Sequence, residues 1–181
     1  MATPPVFSAG AVLTAGQMNK VGLWLVSEKS FSATATWACQ SVFTSDFDSY
    51  RLVASCTTGA GGAAQIQVQM MVGATPTAGA GYNYYFRGIT WAGANDNTAG
   101  SAGGNWFIAR TNGGEWSMVM DLINPNLAKN TFVTTQGTDT SLQYQCGGYH
   151  NSTTQFDGIQ FYNSGAANMT GTVKIYGYRE G

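Results

Sequence analysis

Gln65-Ile66-Gln67-Val68-Gln69-Met70 alternates amide and apolar side chains without a break, and this period of two decides the fold class. Successive side chains of a strand point to opposite faces, so Ile66, Val68 and Met70 are expected on a core face and the three glutamines on the other. Thr172-Val173-Lys174-Ile175-Tyr176 repeats the logic, with Val173 and Ile175 inward. Outward from these two stretches, short runs read as strands at residues 23–27, 36–43, 50–56, 65–72, 82–86, 106–109, 116–123, 132–136, 142–146, 159–162 and 172–178. Turn-forming clusters separate them, among them Thr58-Gly59-Ala60-Gly61-Gly62, Ala78-Gly79-Ala80-Gly81, Asn112-Gly113-Gly114 and Asn163-Ser164-Gly165. Short strands at this spacing, with no later helical period, predict an all-β chain folded as an antiparallel, jelly-roll-like β-sandwich.

The sandwich is expected over residues 23–181, preceded by a docking arm over residues 1–22. Within the arm, Thr14-Ala15-Gly16-Gln17 has the spacing in which a hydroxyl and an amide satisfy helix-end donors reciprocally, with Thr14 as the cap. Leu13 and Met18 have the spacing of a hydrophobic staple across that cap, and Pro4-Pro5 holds the approach extended. The spacing predicts one short capped helix of about two turns, which is marginal in water without support. Two supports are open. The arm folds back on its own sandwich, or Pro5, Val6, Phe7, Val12, Leu13 and Met18 dock into a neighbouring subunit.

Charged residues make up 9% of the chain against roughly a quarter in an average globular protein. A net charge of −1 supplies no basic face for phosphates, so nucleic acid is not an expected partner. Sparse charge also removes the usual protection against self-association, which suits a subunit of an assembly. A length of 181 residues fits one sandwich. No apolar run approaches the roughly 20 residues of a membrane span, and the N-terminus lacks a secretory pattern, so a product made in a cytoplasm and not inserted in a membrane is expected. Cys39, Cys56 and Cys146 are odd in number and lack C-x-x-C spacing, which predicts buried free thiols.

No catalytic constellation is expected. The single histidine is His150, and no serine lies in a G-x-S-x-G turn. Glu115 and Asp121 fall six residues apart in one strand pattern, about 20 Å along it, whereas paired carboxylates of a glycosidase sit about 5–10 Å apart. Asn95-Asp96-Asn97 lacks the spacing of a calcium loop, so neither metal nor cofactor is expected. A sugar contact is the better candidate. Tyr82, Tyr84, Trp91 and Trp106, with Tyr85 and Trp116 in the same aromatic-rich third, are interleaved with Asn95, Asp96 and Asn97, and flat rings beside amides can stack on and hydrogen-bond a glycan. Core and interface packing use the same aromatics. Residues 92–104 are too polar for core and are expected as a loop, either exposed at an apex or in contact with another subunit.

Three phrases carry a family resemblance. Pro4-Pro5-Val6-Phe7 followed by Gly10-Ala11-Val12-Leu13-Thr14-Ala15-Gly16-Gln17-Met18-Asn19 resembles the N-terminal phrase of tailed-bacteriophage virion proteins of tail or fibre type. Phe47-Asp48-Ser49-Tyr50-Arg51-Leu52-Val53 is similar to their Y-D-x-Y-R-L strand start, and Phe156-Asp157-Gly158-Ile159 with Gly171-Thr172-Val173-Lys174-Ile175-Tyr176-Gly177-Tyr178-Arg179 resembles their C-terminal hairpin. The resemblance implies a virion structural protein, often a homotrimer, attached to other virion proteins by its N-terminus, displaying a β-sandwich and able to contribute to host attachment. A freestanding carbohydrate-binding sandwich is the alternative.

Overall fold

The computed structural model describes residues 22–59 and 64–178, which are all-β and contain no helix. The arm, its Thr14 cap, its docking residues and part of the turn after Thr58 lie outside them. Thirteen strands follow one another: β1 (Leu23–Thr34), β2 (Thr36–Cys39), β3 (Ser49–Thr58), β4 (Ala64–Val72), β5 (Thr75–Pro76), β6 (Tyr82–Thr90), β7 (Asn95–Gly103), β8 (Trp106–Thr111), β9 (Gly114–Ile123), β10 (Thr131–Asp139), β11 (Leu142–His150), β12 (Gly158–Asn163) and β13 (Met169–Tyr178). All eleven strands read from the pattern are present, most of them longer than the apolar alternation that marks them.

Two antiparallel sheets share one core. The larger has the order β1-β13-β3-β9-β10-β11-β6-β7, and the smaller runs β2-β12-β4-β5 with β8 also paired to β4. Four pairings nest one inside another: β1 with β13, β2 with β12, β3 with β9 and β4 with β8. That is the pattern of one long hairpin whose arms pass alternately into the two sheets. The remaining strands are insertions in it. β5, β6 and β7 interrupt the β4–β8 connection, β10 and β11 interrupt the β9–β12 connection, and the insertions meet where β6 pairs with β11. Their meeting extends the larger sheet to eight strands.

Alternation sets the faces. In β3, Tyr50, Leu52, Ala54 and Cys56 are buried between Arg51, Val53 and Ser55, and in β9, Trp116, Met118, Met120 and Leu122 do the same. Ile66, Val68, Met70, Val173 and Ile175 have no exposed surface, as their period predicts. On the other side of β4, the Gln67 amide donates to Gln65 (3.0 Å) and that of Gln69 to the Gly104 carbonyl (2.9 Å). β8 breaks the rule, because Trp106, Phe107, Ile108 and Ala109 are all completely buried. A bulge opposite Ile66 and Gln67 shifts its register, which turns successive side chains to one side. β8 lies beneath the extended sheet, where Phe107 stacks on Phe86 with ring centroids 4.2 Å apart and the Thr135 hydroxyl donates to the Ile108 carbonyl (3.0 Å).

Two expectations change. The strand over 36–43 stops at Cys39, because Ser41 takes a left-handed conformation (φ 54°) and the Val42 and Phe43 amides both donate to the Asp157 carbonyl (2.8 and 3.0 Å). The segment 92–104 is not an apical loop, since its residues 95–103 form β7, the edge strand paired to β6. Its sequence Asn-Asp-Asn-Thr-Ala-Gly-Ser-Ala-Gly carries no apolar period, and backbone pairing alone places it. A Cβ at Gly100 would fall on the Tyr84 ring, so this close approach requires glycine.

The three cysteines are free and buried. Burial pushes the Cys56 and Cys146 thiols up to about 12 and that of Cys39 to about 11, so they act as small apolar side chains.

Gly137 tests the packing of the extended sheet. A Cβ there would land on the Tyr144 hydroxyl and the Ser117 carbonyl, which are hydrogen-bonded to each other at 3.0 Å. Gly137→Ala is expected to cost about 2–3 kcal/mol through overpacking and loss of that bond, seen as a fall in Tm of roughly 4–12 °C. Gly147→Ala on the adjacent strand, with nothing within 4 Å of its added Cβ, is expected to leave Tm nearly unchanged.

Candidate functional site

The aromatic and amide residues singled out in the sequence do not converge. Tyr82 and Trp106 are core residues with 0% exposure, so neither ring has a face for a ligand. The Tyr82 hydroxyl accepts from the Met70 amide (2.8 Å) and donates to the Thr77 carbonyl (2.9 Å), and the Trp106 indole N–H donates to the Tyr149 carbonyl (3.3 Å). With Phe156 they enclose His150, whose ring centroid lies 4.4 Å from Tyr82, 5.1 Å from Phe156 and 6.4 Å from Trp106. Tyr84 is half-buried, edge-on to Phe107. Trp91 is 64% exposed in the turn from β6 to β7. Asn95 and Asn97 are exposed on β7, whereas Asp96 turns to Arg110 of β8 at 2.8 Å.

The acids are likewise dispersed. Asp139 is buried and accepts from the amides of Ser141 (2.6 Å), Leu142 (2.8 Å) and Asn112 (3.2 Å), so it holds the β10–β11 turn. Asp157 accepts from the Gly73 amide at 2.9 Å, and Asp121 is held by Arg51. Each of these carboxylates serves a turn or an ion pair.

A different surface gathers functional groups: the outer face of the eight-stranded sheet. Cross-strand register aligns its outward residues in rows. One row is Arg51, Asp121, Thr134, Gly147 and Tyr85, and the next is Val53, Val119, Gln136, Gln145 and Arg87. In the first row Gly147 has no side chain and Thr134 a short one, so a gap opens between Asp121 and Tyr85. The result is a groove of about 700 Å³ lined by Arg51, Asp121, Tyr85, Arg87, Gln136 and Gln145 together with the Thr134–Gly147 floor.

Its two ends differ electrostatically. Arg51 donates to Asp121 through Nε and through one terminal nitrogen, both at 2.8 Å, and this hydrogen bonding raises the guanidinium pKa further. A half-exposed pair of this kind adds about 0–1 kcal/mol to stability; its effect is to hold both side chains in one plane. Arg87, opposite, makes no ion pair among the described residues. Tyr85 is 54% exposed beside it. Sequence reading named Tyr85 as one aromatic among several and missed Arg87, Gln136, Gln145 and Gly147, although the alternation of β6, β10 and β11 marks each as outward-facing.

A third row on the same face is apolar. Leu23, Tyr178, Ile123, Phe132 and Tyr149 lie in cross-strand register with Ser49 among them. Leu23, Ile123, Phe132 and Tyr149 are 41–45% exposed. The row crosses six strands, about 24 Å.

No protein-family model and no curated protein matches the chain. Over 86% of its length it is similar to 43% of a chain in a solved structure of infectious bursal disease virus, Gx strain, with 8% identity and a TM-score of 0.14, a likeness too slight to carry an argument.

His150 gives the surrounding core a pH dependence. Its Nδ1 accepts from the Ser152 amide (3.2 Å), its Nε2 is buried without a partner among the described residues, and burial lowers its pKa. The unfolded chain therefore takes up this proton first. The stability contribution is complete above the ordinary histidine value of about 6.5 and is lost as pH falls below it. Tm is expected to fall from pH 7.5 to pH 5, and the slope to flatten in His150→Gln, as scanning calorimetry at matched ionic strength would register.

Proposed function

We propose that this chain is a structural subunit of a tailed-bacteriophage virion, a tail, fibre or particle-surface protein with a jelly-roll body, anchored by residues 1–22 and assembled as a homotrimer that contributes to host attachment. The observation that carries the reading is the apolar row on the outer sheet face, because it begins at Leu23, the first residue after the arm. An exposed strip of this kind, on a chain with 9% charged residues, is suited to burial in an assembly. The nested strand pairing of a rolled hairpin supports the jelly-roll reading. The three resembling phrases, in the same order along the chain as in tail and fibre proteins, supply the virion context. A freestanding carbohydrate-binding sandwich is the second reading, favoured by the polar groove.

The two readings part at the arm. Full-length chain is expected to show three times its 19.1 kDa mass by light scattering and to co-purify with phage particles, while a chain starting at Val21 folds but does neither. Equal behaviour of both as folded monomers would remove the anchored-subunit reading and favour the lectin. Phe132→Lys, within the apolar row between Ile123 and Tyr149, is expected to move trimer towards monomer with a stability change within about 0.5 kcal/mol, as for an exposed site.

A further inference from the structure

We infer that the groove between Tyr85 and the Arg51–Asp121 pair binds an acidic saccharide, one carrying carboxylate groups on its sugar rings. The inference rests on the attachment role proposed above and gives it a site and a ligand class.

Four features select this ligand. The groove is set on the outer face of a sheet and is not an enclosed cavity, which fits a chain laid along the surface better than an enclosed apolar molecule. Tyr85 presents an exposed ring at its wall, and a flat aromatic face packs against the apolar face of a sugar ring. Gln136 and Gln145 are direct cross-strand partners, and Gln145 is in turn the partner of Arg87. Two amides and a guanidinium thus stand in one line at about 4.8 Å spacing, donors and acceptors suited to successive hydroxyls.

The charge decides the class. Asp121 is already held by two bonds from Arg51, so that pair is neutral towards a ligand. Arg87 makes no ion pair among the described residues, and the groove therefore carries one uncompensated positive charge. A guanidinium fork matches a carboxylate in geometry as well as in sign. One such cation is too little for a polyphosphate backbone, which proteins hold with many, and it suffices for one carboxylate per groove. In a trimer, three weak contacts of this kind act together on a polymeric surface.

The probe is a uronic-acid oligosaccharide set beside its carboxyl-reduced, neutral form, with binding to the full-length chain read by surface plasmon resonance. Acidic chains are expected to bind and reduced chains to bind at least about tenfold more weakly. Arg87→Gln is expected to lower affinity about 10- to 100-fold, the scale of a lost hydrogen bond to a charged group. Arg87→Lys is expected to recover part of this by keeping the charge without the fork. Gly147→Phe fills the groove floor, where an added Cβ has nothing within 4 Å, and is expected to abolish binding with Tm retained. Should that variant fail to fold, Tyr85→Ala, at an exposed ring, is expected to weaken binding at unchanged Tm.

Equal binding of acidic and reduced chains would overturn the inference. So would binding indifferent to both Arg87→Gln and Gly147→Phe, or no binding by the full-length chain at all. Loss of the trimer on filling Gly147 would also overturn it, marking the groove as a contact between copies. Particle co-purification reads the virion role independently: a chain that incorporates but binds no saccharide loses only the groove, and one that binds acidic saccharide through Arg87 without incorporating loses only the virion role.

Discussion

The pairing of Tyr82–Thr90 with Leu142–His150 joins two insertions that enter the chain more than fifty residues apart, and its backbone hydrogen bonds satisfy strand edges that would otherwise lie open, one of them at the β11 rim of a six-stranded sheet. Without it, β9 would lead only to a β10–β11 hairpin, and the hairpin of β6 and β7 would have no sheet to join. With it, the larger sheet reaches across β8 and buries Trp106, Phe107, Ile108 and Ala109 completely. Phe86 and Tyr144, on the two paired strands, are buried with Phe107 in the core beneath.

The same pairing builds the outer face. Gly147 and Tyr85 are direct partners across it, as are Gln145 and Arg87, so the empty floor, the exposed ring and the Arg87 cation are brought together by one register. A slip of one residue would turn Tyr85 and Arg87 inward against the core, an outcome opposed by burial of Phe86 between them. The core face and the groove are thus two sides of one constraint. Apolar residues at alternate positions lock the register, and the residues between them, free of packing demands, carry the polar surface.

Polar side chains do structural work across the fold. Tyr50 donates to the Thr44 carbonyl (3.0 Å) and accepts from its amide (2.6 Å), Tyr82 and Tyr144 reach back to strand or turn backbone, and Asp139 holds a hairpin turn. Buried polar groups must find partners, and here buried tyrosines provide them at the sheet ends. This use of aromatics explains why the aromatic-rich middle third reads equally well as ligand site and as core. Tyr82, Trp106 and Trp116 went to the core, with the Trp116 indole donating to the buried Thr58 hydroxyl at 2.9 Å. Tyr85 and Trp91 were left at the surface.

Local alternation was enough to locate eleven strands and the inward side chains of most of them, because a period of two is a property of a few consecutive residues and needs no partner to be read. It also made the buried thiols legible, and from composition came the sparse charge. It could not locate β7, whose Gly, Ala, Ser and Asn carry no period and whose conformation comes from pairing with β6. It set Tyr82 and Tyr85, three residues apart in β6, on opposite faces, but not which ring faces water, since that depends on what covers each side. The groove itself was beyond reach, because Arg51, Tyr85, Asp121, Gln136 and Gly147 come from five strands whose neighbours were chosen by non-local hydrogen bonding. The sequence by itself determined which positions of an alternating strand share a face; the tertiary structure decided which face is covered and which outward positions meet, because strand order and register are set between segments far apart in the chain.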